Sequence, residues 1–206
     1  WMGTRTDAQT QGQMPNHHIH GQTLGLIGFG HVSQLVARKM SGFKMTILCH
    51  DPYVSSDSMS AKGVSSASLD DVLEISDFIS LHCPLTDATR GLIGERELRL
   101  MKRKALLINT SRGPVIQESA LIRALREGWI SGAGLDVFEE EPTPKSNPLL
   151  TMDNVICTPH IAGQSDLMQE KQWRLSVESA IQLSKGHWPK SYVNPSVKPR
   201  WKLTHE

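Results

Sequence analysis

An α/β fold, a doubly wound parallel sheet with helices on both faces, is the class this sequence predicts. Three observations predict it. Short apolar runs alternate with stretches of helical spacing from Thr23 to Ser184. The runs are continuously apolar, the mark of strands buried on both faces. The first run ends in a glycine turn that opens a helix, and a second run follows within about thirty residues, the dimensions of a βαβ crossover.

Each element can be justified in order. "TLGLIG" (23–28) is a strand ending in glycine, and "HVSQLVARKM" (31–40) is a helix with Val32, Leu35, Val36 and Met40 on one face. "KMTILCH" (44–50) is a strand closed by "DPY". "SLDDVLEIS" (68–76) opens with a Ser/Asp capping pattern and predicts a helix, followed by the strand "DFISLHCPL" (77–85). "GERELRLMK" (94–102) is helical and "ALLINTS" (105–111) extended. "QESALIRALREG" (117–128) is an amphipathic helix with Gly128 as its stop. "GAGLDVF" (132–138) and "NVICTP" (154–159) are further strands. The last helix runs from Ser165 to Ser184, before a proline-punctuated tail. Ahead of all this, residues 1–21 are polar and aperiodic and read as a linker. Its "HHIH" reads as solvated loop, so no metal is expected.

Composition narrows the function classes. A hydrophobic share of 38% and a charged share of 21% fit a soluble globular chain. With a formal net charge of +1 and no basic run, no global field recruits nucleic acid or an anionic membrane. No apolar run reaches transmembrane length, and no signal-peptide pattern is present. Cys49, Cys83 and Cys157 lack C-x-x-C spacing and predict reduced thiols in a cytoplasmic protein.

"GLIGFGHVSQ" carries G-x-G-x-x-S at Gly28, Gly30 and Ser33. The pattern gains force from its place between a strand and a helix, as in the Rossmann dinucleotide fold. Gly28 permits the tight turn, Gly30 lets a pyrophosphate approach the backbone, and the helix N-terminus offers N–H donors. Ser33 stands where a third glycine is usual. Asp51, at the end of the second strand, sits where that fold places an acid on the ribose hydroxyls, which predicts NAD over NADP. Arg112 in "NTSRGP" follows another strand and offers a planar fork of donors for a carboxylate or polarised carbonyl. In "DVFEEEPTP", one carboxylate among Glu139, Glu140 and Glu141 could orient a histidine and favour its charged form. "TPHIAG" supplies a histidine, His160, whose residue type alone does not separate a loop bystander from an acid-base group.

Taken in order from Gly21 to Asn194, the glycine turn, Asp51, "INTSRGP", "GLDVFEEEP" and "TPHIAG" closely resemble the D-isomer-specific 2-hydroxyacid dehydrogenases. The resemblance implies an oxidoreductase that passes a hydride between NAD(H) and a D-2-hydroxy or 2-oxo acid. It assigns Arg112 to substrate binding, Glu141 to a supporting carboxylate and His160 to acid-base chemistry. It also implies cofactor contacts at Gly28, Gly30, His31, Val32, Asp51, Cys83, Pro84, Thr110, Ser111, Arg112, Asp136, His160, Ala162 and Gly163. A homodimer and a small 2-hydroxy or 2-oxo acid substrate, such as phosphoglycerate, hydroxypyruvate or glyoxylate, are implied as well.

The family usually opens with a substrate domain of ~100 residues, an ordinary domain length. Here about twenty residues precede the glycine motif, so most of the N-terminal substrate domain is expected to be absent. The expected layout is 1–21 as a linker or remnant of that domain, 22–163 as the NAD-binding Rossmann domain, and 164–206 as a C-terminal helix and tail returning toward the substrate domain. Such a chain is expected to bind NAD yet turn over substrate poorly. An NAD-responsive binding module, like the corepressors of this fold, is the alternative. A formate dehydrogenase is disfavoured because that pattern has glutamine where Glu141 stands.

Overall fold

The computed structural model describes residues 18–194 and 196–205. Most of the expected linker, including His17, lies outside the described residues. The chain forms two compact units, one running through His160 and one from Ile161 to Glu206.

In the first unit the strands are β1 (Thr23–Ile27), β2 (Thr46–His50), β3 (Ser65–Ser66), β4 (Phe78–Leu81), β5 (Leu106–Asn109), β6 (Gly132–Leu135) and β7 (Val155–Cys157). They pair in the order β3-β2-β1-β4-β5-β6-β7, and every pair is parallel. The helices are α1 (His31–Met40), α2 (Ser56–Ser60), α3 (Leu69–Ile75), α4 (Glu95–Leu100) and α5 (Glu118–Glu127). The expected doubly wound α/β sheet is present, and its order reverses between β1 and β4, the switch point where such sheets hold ligands.

The apolar residues divide into two clusters. Leu24 and Leu26 join Ala37 of α1 and Met59 of α2, while Ile27, Ile79, Leu81 and Leu107 join residues of α3, α4 and α5. Alternate residues of β1 thus enter different clusters, as the two-residue period of a strand requires. Fully burying each such side chain contributes about 1.5–3 kcal/mol. Helix ends are set locally: Ser68 Oγ accepts the Asp71 N–H at 3.1 Å, and Gly128 ends α5 with φ 68°.

Most strands stop earlier than the apolar runs suggest. β4, β5 and β6 end at Leu81, Asn109 and Leu135. Cys83 and Phe138 remain buried beyond those ends. Burial continues past the last ladder hydrogen bond, so apolar character overstates strand length. Two elements carry too little apolar signal to be read from the sequence. α2 is five mostly polar residues around buried Met59, and β3 is two serines.

Ser33 in α1 is fully buried, and its Oγ has no hydrogen-bond partner among the described residues. Ser33→Ala is expected to stabilise the chain by about 1 kcal/mol, because it removes an unsatisfied buried hydroxyl and improves helix propensity. Chemical denaturation would show this as a higher midpoint at unchanged slope.

The second unit holds α6 (Asp166–Ser184), capped by Ser165 Oγ on the Met168 N–H at 3.1 Å. In its tail Trp188 stacks on His205 at 5.8 Å between ring centroids.

Candidate active site

Parallel strands put every carboxyl end on one edge of the sheet. The register aligns those ends in a row: Ile27 pairs with His50 and Leu81, Leu81 with Asn109, Asn109 with Leu135, and Leu135 with Cys157. Gly28, Asp51, Cys83, Thr110 to Arg112, Asp136 and His160 each follow a strand end by one to three residues. The topology therefore collects residues far apart in sequence along a single edge.

At the switch point Gly28 has φ 93°, and a Cβ there would stand 2.8 Å from the Cys83 nitrogen. Glycine is required on both counts, conformation and space. Gly30 is the N-cap of α1 and supplies no capping side chain; no acid sits in the first turn. The amides of His31 and Val32 thus start a helix whose positive end is uncompensated by side chains. Asp51 Oδ2 accepts the Phe29 N–H at 2.7 Å and Oδ1 accepts the Tyr53 N–H at 2.8 Å. The carboxylate is thereby tied to the glycine turn. Uncapped amides, an open glycine and a fixed acid form a donor set that fits a dinucleotide.

Val32, His82, Cys83, Thr110, Ser111 and Arg112 line a cavity of about 430 Å³ beside this turn. Fully buried Asn109 shapes one wall. Its Oδ1 accepts from Ser111 N at 3.0 Å and from Ser111 Oγ at 2.9 Å, and its Nδ2 donates to Arg112 O at 2.9 Å. Neither Asn109 nor His82 was marked by the sequence pattern, although both lie inside quoted motifs. The His82 imidazole is 3.0 Å from Ser80 Oγ, and burial pushes its pKa down from 6.5 to about 4.

That depression has a pH consequence. Between pH 6.5 and about 4 the folded chain binds fewer protons at His82 than the unfolded chain does. Its stabilising contribution is present above pH 6.5 and is lost as pH falls through this window. Thermal midpoints are expected to fall across the window in the parent chain and less steeply in His82→Asn.

A second cavity of about 640 Å³ is lined by Asp136, Phe138, Glu141, Leu150, Thr158 and His160. His160 Nδ1 is 2.8 Å from Glu141 Oε2. A carboxylate only accepts, so Nδ1 carries the proton and Nε2 is left for other partners. Glu141 Oε1 accepts the Phe138 N–H at 3.0 Å. Burial pushes the Glu141 carboxyl up, but the hydrogen bonds from His160 and Phe138, with the His160 and Arg112 charges, outweigh it and hold the carboxyl below its ordinary range. The loop bearing Arg112 packs on this one, with Gly113 set against the Phe138 and Glu139 backbone. His160 adopts φ 55°, rare for a non-glycine residue, and its N–H donates to Asp136 O at 2.9 Å. Thr158 Oγ1 is 2.5 Å from Asp136 Oδ1 and fixes that acid in turn.

The three acids separate cleanly. Glu141 meets His160, Glu139 Oε2 accepts the Glu118 N–H at 3.3 Å, and the Glu140 carbonyl accepts the Thr143 hydroxyl at 3.2 Å. Ala162 and Gly163 lie in the second unit.

The sequence model of the D-isomer-specific 2-hydroxyacid dehydrogenase NAD-binding domain matches residues 2–162. The chain belongs to this family. It is 45% identical over 184 residues to glyoxylate reductase of Korarchaeum cryptofilum, covering 89% of this chain and 55% of that protein. It is 42% identical over 188 residues to D-3-phosphoglycerate dehydrogenase of Methanocaldococcus jannaschii, covering 90% of this chain and 35% of that protein. Among solved structures, D-lactate dehydrogenase with NAD+ from Lactobacillus jensenii superposes with a TM-score of 0.81 at 30% identity, over 90% of this chain and 61% of that one. The chain spans 54–55% of the length of two glyoxylate reductases it matches. No helix among the described residues is long and apolar enough to cross a membrane.

Proposed function

We propose that this chain is the NAD(H)-binding part of an oxidoreductase that interconverts a 2-oxo acid and a D-2-hydroxy acid, with His160 as its acid-base group. The observation that carries this reading is the 2.8 Å bond between His160 Nδ1 and Glu141, on a loop that packs against the backbone just after Arg112.

The first-turn amides of α1 at His31 and Val32 would hold the pyrophosphate, and Asp51 the adenine ribose. Cys83, Pro84, Thr110 and Ser111 would border the groove between, while Asp136 would stand by the nicotinamide. When bound, NADH supplies the hydride. Arg112 binds the substrate carboxylate and polarises the 2-oxo group. His160 Nε2 gives its proton to the carbonyl oxygen as negative charge develops there, and takes it back in the reverse direction. Glu141 holds the ring by Nδ1–H and balances the imidazolium charge.

Fluorescence titration of this chain with NADH and NADPH tests the cofactor half. NADH is expected to bind at least ~10-fold more tightly, equivalent to ~1.4 kcal/mol, because Asp51 repels a 2′-phosphate. Failure to bind either cofactor would overturn the reading. Oxidation of NADH with glyoxylate, hydroxypyruvate and phosphohydroxypyruvate tests the chemistry in this chain and in a longer form that carries a substrate domain. Turnover, slow in this chain, that His160→Ala abolishes is expected, and bound NADH with no turnover in either form would leave the binding-module alternative. The reading includes a homodimer, checked by analytical ultracentrifugation. The three cysteines, none of them in a disulfide, suit a reducing compartment such as the cytoplasm.

A further inference from the structure

We infer that Glu118, at the start of α5, is a positioning residue that holds the Glu141 loop in register with His160; this rests on the acid-base reading above. The loop between β6 and the 3₁₀ turn at 148–151 carries Glu141. One carboxylate fastens this loop at both ends. Glu118 Oε2 accepts the Glu139 N–H at 3.0 Å, and Oε1 accepts Asn147 Nδ2 at 2.6 Å. The tie is reciprocal, because Glu139 Oε2 accepts the Glu118 N–H at 3.3 Å. Asn147 is itself nearly buried, and its Oδ1 accepts the Leu149 N–H at 3.0 Å.

The contacts run onward to the reacting pair without a gap. Next to Glu139 is Phe138, whose N–H donates to Glu141 Oε1, and Glu141 Oε2 takes His160 Nδ1. Both Glu118 and Glu139 stand at the N-terminus of α5, where the helix dipole favours negative charge and offsets their mutual repulsion. Glu118 uses its two oxygens as acceptors for two different donors. Glutamine in its place must present an NH₂ to one of those donors, so the isosteric change breaks one end of the tie. Among the described residues Glu118 hydrogen-bonds to Glu139 and Asn147 and not to His160 or Arg112, so it acts through the loop.

The test is Glu118→Gln in the full chain, with Glu118→Asp and Ser119→Ala as comparisons. Circular dichroism first checks that each is folded. In Glu118→Gln, hydrogen exchange at the Phe138 amide is expected to accelerate at least ~10-fold, and the Glu141 carboxyl, followed by ¹³C NMR, to titrate closer to its ordinary range. NADH affinity stays unchanged and kcat for 2-oxo-acid reduction falls with little change in KM. Glu118→Asp, which keeps the charge but is too short to span both donors, behaves like Glu118→Gln; Ser119→Ala behaves like the parent. Unchanged Phe138 exchange and Glu141 titration in a folded Glu118→Gln chain would overturn the inference. Failure of the acid-base reading is recognised separately, since His160→Gln would then leave turnover intact while the exchange and titration effects of Glu118→Gln persist.

Discussion

His160→Gln is expected to slow 2-oxo-acid reduction by about 10²–10⁴-fold, the usual contribution of a positioned acid-base group, while changing NADH affinity far less. Glutamine can occupy the space and accept or donate hydrogen bonds, but it cannot deliver a proton to the developing alkoxide. The loss should therefore appear in kcat and kcat/KM together, as expected when an interaction made only in the transition state is removed. Glu141→Gln is expected to cost less, since its one amide oxygen can still accept from Nδ1, although the Phe138 N–H loses its acceptor and the charge that balances the imidazolium is gone. Because His160, the Phe138 amide and Arg112 hold the Glu141 carboxyl below its ordinary range, the pair's geometry survives to lower pH than an isolated glutamate would allow. Its contribution to stability is present above the ordinary carboxylate range and is lost as pH falls through the depressed value. Steady-state rates of both variants across pH, compared with the parent chain, check these expectations. Full activity in His160→Gln would remove the histidine from the mechanism.

Gly113→Ala is expected to lower stability by roughly 3 kcal/mol or more, at the upper end of overpacking costs, and the thermal midpoint by roughly 6–12 °C. A Cβ at Gly113 would lie 1.8 Å from the Phe138 carbonyl oxygen, 1.9 Å from its carbon and 2.6 Å from the Glu139 nitrogen. All three are backbone atoms, so no rotamer change relieves the contact. The loop bearing Arg112 and the loop bearing Glu141 must instead part by about an ångström, and a misplacement of about 1 Å can cost 10²-fold in rate. The variant thus tests whether close backbone packing sets the spacing of Arg112 from the Glu141–His160 pair. Scanning calorimetry reads the first effect; turnover under conditions where the variant remains folded reads the second. A variant as stable and active as the parent would show that the two loops are free to separate.

Much of this arrangement was legible in the residues. Continuous apolar runs separated by amphipathic helices determined a parallel α/β sheet, because strands covered on both faces leave that signature. G-x-G at the end of a strand, followed by an acid at the end of the next, pointed to the place proposed for a dinucleotide, because turn, helix amides and acid are all local to one βαβ unit. The family resemblance pointed to Arg112, Glu141 and His160 by motif. What it left unseen was why those residues meet. Asn109 shapes the Arg112 turn, Thr158 fixes Asp136, and Glu118 ties down the Glu141 loop. These are ordinary polar residues whose partners are local for Asn109 but 22 and 21 residues away for Thr158 and Glu118.

The sequence by itself thus determined the class of fold and the glycine turn that opens the first helix, and by motif it pointed to the residues proposed for the chemistry. Composition left three adjacent glutamates open and the family resemblance named Glu141; only the tertiary structure decided how that carboxylate reaches His160, and how close the loops after β5 and β6 come at Gly113. Local patterns record a residue's own backbone and burial preference. A hydrogen bond or backbone contact between separate loops depends on how the whole sheet aligns its strand ends.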